Sequence, residues 1–326
     1  MTGLRLKSAV PRAPPPPPYP EKEMKAFSHP CFCADEKRSP RGGPVRPRGP
    51  APIAGQAAHP FVVWVLPLSI LFFLVQGCGV LRHSVKVDES SFLSENVAGL
   101  PITLRYLPVD QPVVPLIQES VVDGLRRAGR WGSLQSPLTI TIYPDHGALE
   151  HALHKTGYDW LKAWATDRRI YLQSPRSWPV AFRRNVKDLM AHEITHVIHY
   201  QTAGMAAGRS GRSDPFWFRE GLASCTAEQG YRRYGKRQLW KKIGEDRSFD
   251  PMAPSPSDIR DRQKLAYSAA HHLVAYLIDR FGDQPIRDLL ASLSRGGSFT
   301  AAFEESYPIT LSELPVEWES WLRMSR

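Results

Sequence analysis

Val186-Lys187-Asp188-Leu189-Met190-Ala191-His192-Glu193-Ile194-Thr195-His196-Val197-Ile198-His199-Tyr200-Gln201 is the stretch on which the reading of this chain turns. Phe182, Val186, Leu189, Met190, Val197 and Ile198 recur at helical spacing, and neither Gly nor Pro occurs between Ala181 and Ala203. That pattern predicts a helix. Two histidines four apart on a helix project from one face, one turn above each other. His192 and His196 can then share one Zn²⁺, and Glu193, beside the first histidine, can take a proton from water. Asp188, His192, His196 and His199 form a polar stripe along the same helix.

A catalytic zinc site needs a third protein ligand, and Glu220 is the candidate. It lies 24 residues after His196, in Phe216-Trp217-Phe218-Arg219-Glu220-Gly221-Leu222-Ala223-Ser224. A loop holding Gly204, Gly208 and Gly211 lies between, which lets a second helix fold back on the first. These stretches resemble the gluzincin metallopeptidases, specifically the peptidase MA-like group. There His-Glu-x-x-His is followed by an aromatic-x-Glu-Gly-x-Ala turn into a second helix. A metzincin would place a third histidine at position 202, which is Thr202.

Downstream, Leu265-Ala266-Tyr267-Ser268 leads through His271-His272 to Tyr276-Leu277 and Phe281-Gly282. This is similar to a segment of the zinc aminopeptidases whose first tyrosine steadies the oxyanion, so the resemblance implies that role for Tyr267. His271 or His272, on the same predicted helix, is a candidate to face the cleft and hold a substrate oxygen. Thermolysin-type relatives carry an aspartate four residues after the glutamate ligand, where it orients a histidine; here that position is Ser224. Asp188 could substitute. Asp188 and His199 each lie one turn from the motif, as supporting partners of the ligands or as solvated neighbours. The similarity spans residues 101–326 and implies an α+β fold. A small mixed N-terminal sheet lobe would pack on a mostly helical C-terminal lobe, with the active site between them.

The formal charge of +10 looks like a nucleic-acid signal until it is located. Residues 1–60 hold 10 Lys/Arg and 4 Asp/Glu, and residues 61–77 hold none, so +6 of the +10 sits in the first 60 residues. No basic run interleaved with aromatics follows, which excludes nucleic acid from the expected partners. The segment 1–60 also carries 14 of the 30 prolines and lacks hydrophobic periodicity, so it is expected to be a disordered tail. Cys31 and Cys33 lie in it with no second pair nearby.

Phe61–Val75 is uncharged, follows Arg41, Arg46 and Arg48, and runs into Gln76-Gly77-Cys78. That is the anatomy of a secretory signal. Val75-Gln76-Gly77-Cys78 also resembles a bacterial lipobox, which implies lipidation of Cys78, although Gln76 is atypical. An uncleaved anchor over 61–80 and a buried core helix are the alternatives, the latter opposed by Pro67 and by the missing polar face. A start near Val45 would leave a signal of conventional length. Residues 61–78 are thus read as signal or anchor and 79–100 as a polar tether, with 101–326 as the zinc domain. The catalytic domain is expected outside the cytoplasm, membrane-anchored in the bacterial cell envelope.

Ile102–Leu107 alternates as a strand, Pro112–Ala128 has a helical pattern, and Leu138–Tyr143 is the clearest strand in the chain. Asp145 caps a predicted helix over 145–155. Arg169–Gln173 gives a strand that, by the resemblance, is a candidate substrate-binding edge or else an ordinary sheet edge. His146, His151 and His154 sit on a predicted surface helix without a carboxylate at ligand spacing. Cys225 is read as a small packed side chain. The reading is therefore a zinc-dependent peptidase with one zinc ion, acting on a peptide or protein substrate. A catalytically inactive zinc-binding scaffold or chaperone is the alternative. Endopeptidase versus aminopeptidase action and the oligomeric state stay open.

Overall fold

A computed structural model describes residues 87–205 and 214–324. The expectations for the tail, the segment 61–78, Cys31, Cys33, Cys78, Gly208 and Gly211 fall outside these residues. Within them, no helix is long and apolar enough to cross a membrane.

The chain is α+β. Leu93–Asn96 (β1), Ile102–Tyr106 (β2), Leu138–Tyr143 (β3), Ala163–Ala165 (β4) and Arg169–Gln173 (β5) form one sheet in the order β1-β2-β3-β5-β4. The three central strands are parallel, and β1 and β4 are antiparallel edges. β3 is rich in β-branched residues, which fit a pleated surface, and it holds the centre. Ile140 stands in register with Leu104 of β2 and Ile170 of β5, and all three are buried.

Two expectations change here. Residues 93–96, read as part of a tether, pair along their length with β2, so the folded domain reaches back beyond residue 101. Arg169–Gln173 is not an edge: β3 and β4 cover its two sides, and the true edge is the three-residue β4.

Val114–Ala128 (α1) crosses from β2 to β3, and a short 3-10 helix, Pro108–Val113, takes up the first residues of the predicted helix. Pro112 in that short helix cannot donate to an α-helical ladder. His146–Ala152 (α2) is capped as expected, with Ala148 N donating to the Asp145 carboxylate at 2.9 Å.

Val186–Thr202 (α3) is the centre of the molecule. Every residue from Leu189 to His199 is buried. One side packs on α1 at close range: a Cβ placed on Gly124 would lie 2.8 Å from Ile194 Cδ1. α3 ends at Gly204, whose φ of +65° is the left-handed conformation that glycine adopts without strain.

Phe216–Thr226 (α4) packs on α3 and on Gln263–Phe281 (α7). Lys236–Glu245 (α5), Pro256–Asp261 (α6), Gln284–Ser294 (α8), Phe299–Ser306 (α9) and Leu314–Met324 (α10) complete the helical part. One apolar cluster runs from the sheet (Leu104, Ile140) through α3 (Met190, Val197) to α7 and α10 (Leu277, Trp318). α3 therefore lies between the sheet with α1 on one side and α4 with α7 on the other.

Candidate metal centre

The i, i+4 spacing on α3 sets the rings of His192 and His196 with centroids 4.8 Å apart. Glu220 comes from α4, whose direction is fixed by its first turn. Pro215, in an extended conformation, opens the helix, and Phe218 meets His199 of α3 edge-on at 5.6 Å. Trp217 and Phe218 both meet Phe299 edge-to-face. Gly221 lies flush against α7, and Glu220, about 100° round the helix, is turned toward α3.

Glu220 Oε2 stands 3.4 Å from His192 Nε2 and 3.6 Å from His196 Nε2. One ligand atom from each residue falls within 4.8 Å of the others, and this is the one group of three or more such side chains that could hold a metal among the described residues. His146, His151 and His154 form no such group.

All three residues are buried, as is Glu193. His192 Nε2 and Glu220 Oε2 face each other without hydrogen-bond geometry. Buried polar atoms are normally satisfied, so two facing ones, on a donor set of two imidazoles and a carboxylate, fit a cation between them.

The electrostatics favour the ligating form at Glu220 and His192 and differ at His196. Burial opposes ionisation of Glu220, but the two imidazoles outweigh it and hold the carboxyl well below the usual carboxylate range. Burial pushes His192 down to about 4, helped by the neighbouring His196 and Arg233. At His192 this gives the neutral imidazole beside an ionised carboxylate that a zinc site requires. Burial lowers His196, but Glu220 and Glu193 outweigh it and hold that imidazole above its ordinary value, so a metal ion entering the site would displace its proton.

Further out, Arg219 Nε lies 3.8 Å from Glu220 Oε1, and its Nη1 is 3.4 Å from Asp214 Oδ1. Asp214 Oδ2 is in turn 3.2 Å from His199 Nε2. His199 thus reaches the centre through Asp214 and Arg219, and through Tyr200, whose ring stacks on both His199 and His196. Asp188 is placed against α1, with Oδ1 3.4 Å from Arg127 Nη1.

The atom facing His192 Nδ1 is Gln229 Oε1, at 3.1 Å. The sequence reading did not single out Gln229. Its one signal was Ser224, which left His192 without the expected carboxylate partner. His271 does not line the metal-facing side: its Nδ1 is 3.1 Å from Ser224 Oγ and 3.6 Å from Cys225 Sγ, behind α4. His272 Nε2 is 2.7 Å from the carbonyl oxygen of Tyr234. Burial raises the Cys225 thiol to about 12, which keeps it an inert packed group. Tyr267 is fully buried, edge-on to Phe216 at 5.2 Å and with the Arg233 guanidinium 5.3 Å from its ring centre.

A family model described as the peptidase MA superfamily matches residues 125–324, which include α3, α4 and α7. The chain belongs to the peptidase MA superfamily. A comparison with curated proteins finds no match. The superfamily's α+β domain, with its small sheet and mostly helical C-terminal part, is the fold observed.

Proposed function

We propose that this chain is a zinc-dependent peptidase of gluzincin type. The observation that carries the proposal is the buried convergence of His192, His196 and Glu220 from two adjoining helices, with Glu193 beside the first ligand. Zinc bound there would supply a Lewis acid that polarises the scissile carbonyl and acidifies a water molecule.

The protein's own groups perform the rest. Glu193 takes a proton from the attacking water and passes it to the amine nitrogen as the C–N bond breaks. Tyr267 is the proposed donor to the carbonyl oxygen as negative charge develops on it. Ala163–Ala165, the sheet edge that packs near α3, is the proposed rail along which an extended peptide adds as one more strand. Anchoring through 61–78, with Cys78 as the lipidated residue and the domain outside the cytoplasm, belongs to the same proposal and is supported by the sequence.

Glu193→Gln tests the reading. Purified with zinc, the variant should keep one metal per chain and lose peptide cleavage by about 10²–10⁴-fold. Cleavage equal to wild type would remove Glu193 from the chemistry. A zinc-loaded wild type that cleaves nothing in a broad peptide library would favour a binding scaffold instead.

A further inference from the structure

Behind His192 lies a chain of polar contacts that the reaction does not itself use. Arg233 Nη2 donates to Gln229 Oε1 at 3.3 Å, and Arg233 Nε and Nη2 donate to Ser224 Oγ at 3.3 Å. Gln229 Oε1 is also the atom 3.1 Å from His192 Nδ1. Gln229 is 2% exposed and Arg233 7%, so water does not substitute for these contacts.

The chemistry of the groups gives the chain a direction. A guanidinium has donors only. The Gln229 atom turned toward Arg233 must therefore be its carbonyl oxygen, and His192 shares that same oxygen. An acceptor opposite Nδ1 calls for a hydrogen on Nδ1, which leaves the lone pair on Nε2. Nε2 is the atom that faces Glu220.

We propose that Gln229, locked by Arg233, is the positioning residue that fixes the tautomer and ring orientation of His192 for metal ligation. The inference rests on the zinc reading of the site. It gives Gln229 the place left open at Ser224, whose hydroxyl is engaged instead by Arg233 and His271. The backbone is shaped for the task. Glu228, a non-glycine residue at φ 55° and ψ 34°, turns the chain back after α4 and starts the short 3-10 turn Gln229–Arg232. A left-handed residue of this kind is retained only where its surroundings over-determine it.

The test is zinc affinity of the full-length chain in detergent, measured by competition with a chelator, with folding followed by near-ultraviolet circular dichroism. Gln229→Met removes the acceptor at similar volume and should weaken zinc about 10–100-fold. Gln229→Glu keeps an acceptor and cannot present a donor when ionised, so it should bind within about threefold of wild type. A folded Gln229→Met chain as tight as wild type, or a Gln229→Glu chain as weak as Gln229→Met, overturns the inference.

Should Gln229→Met not fold, Arg233→Met supplies the answer. It frees the amide to turn its NH₂ toward His192 and should weaken zinc, and adding Gln229→Glu should restore it. Equal affinity for Arg233→Met and wild type overturns the locking step. A wild-type chain that takes up no zinc overturns the metal site itself, which is a separate result.

Discussion

Gly221 and Ala270 leave no room for a side chain between α4 and α7: a Cβ on Gly221 would overlap the Ala270 carbonyl oxygen and lie 2.6 Å from Val274 Cγ2. Backbone cannot yield as a flexible side-chain tip can, so α4 would have to move. Gly221→Ala should therefore cost about 1–3 kcal/mol of stability, read from the urea midpoint. It should also weaken zinc binding, because Glu220 is the adjoining residue. A variant with an unchanged midpoint would show that the helices can part at no cost.

Tyr267→Phe keeps the ring against Phe216 and Arg233 and removes only the hydroxyl. If that hydroxyl serves the oxyanion, kcat should fall about 10²–10³-fold while zinc content and melting temperature hold. Steady-state kinetics on one peptide, beside metal analysis, decide the matter. Undiminished kcat would leave Tyr267 as packing alone.

Zinc that binds only the folded chain should stabilise it by mass action, about 2.7 kcal/mol at a hundredfold excess over Kd. For a domain of this size that is roughly 5–10 °C in Tm. EDTA should lower the Tm of wild type by such an amount and leave that of Glu220→Ala where it was. Scanning calorimetry with and without chelator makes the comparison within each protein, so the variant's own change in stability does not enter.

Acid should weaken the fold partly through His271. Its burial, with His272 and Arg233 nearby, holds the imidazole neutral down to about pH 3. The unfolded chain takes up that proton at the ordinary value near 6.5. Since the folded value is the lower one, the unfolded state binds more protons in this window. Stability is then lost as pH falls from about 6.5 toward 3. Between pH 6.5 and 5 the contribution is on the order of 1–2 kcal/mol. His271→Leu should flatten that part of the profile in urea titrations at the two pH values.

The site's scaffold was legible where the chemistry is local. His192, Glu193 and His196 declare themselves by spacing on one helix, and the Asp145 cap by its position ahead of α2. β3 could be found because its alternation is strong and its β-branched content high. β1 and β4 could not. They span four and three residues, and β1 is almost wholly exposed, so neither carries an apolar period to read. The resemblance suggested β5 as the edge of the sheet, and with β4 unread nothing in the sequence spoke against it.

Gln229 was invisible for a different reason. Its contact with His192 spans 37 residues and depends on the left-handed turn at Glu228, and nothing in a Gln-Gly dipeptide announces either. Asp188 was nominated for a partner role by its place one turn from the motif. Arg127, reached only by folding, takes its carboxylate instead.

The enclosure of α3 also bears on how the molecule fails. A helix walled in along eleven consecutive residues has no surface from which to fray, and its amide hydrogens should exchange with solvent only when the whole domain opens. Both imidazoles and Glu193, the proposed general base, ride on that segment. Local melting of α3 alone is then not a route by which heat removes these three side chains; they are lost with the fold.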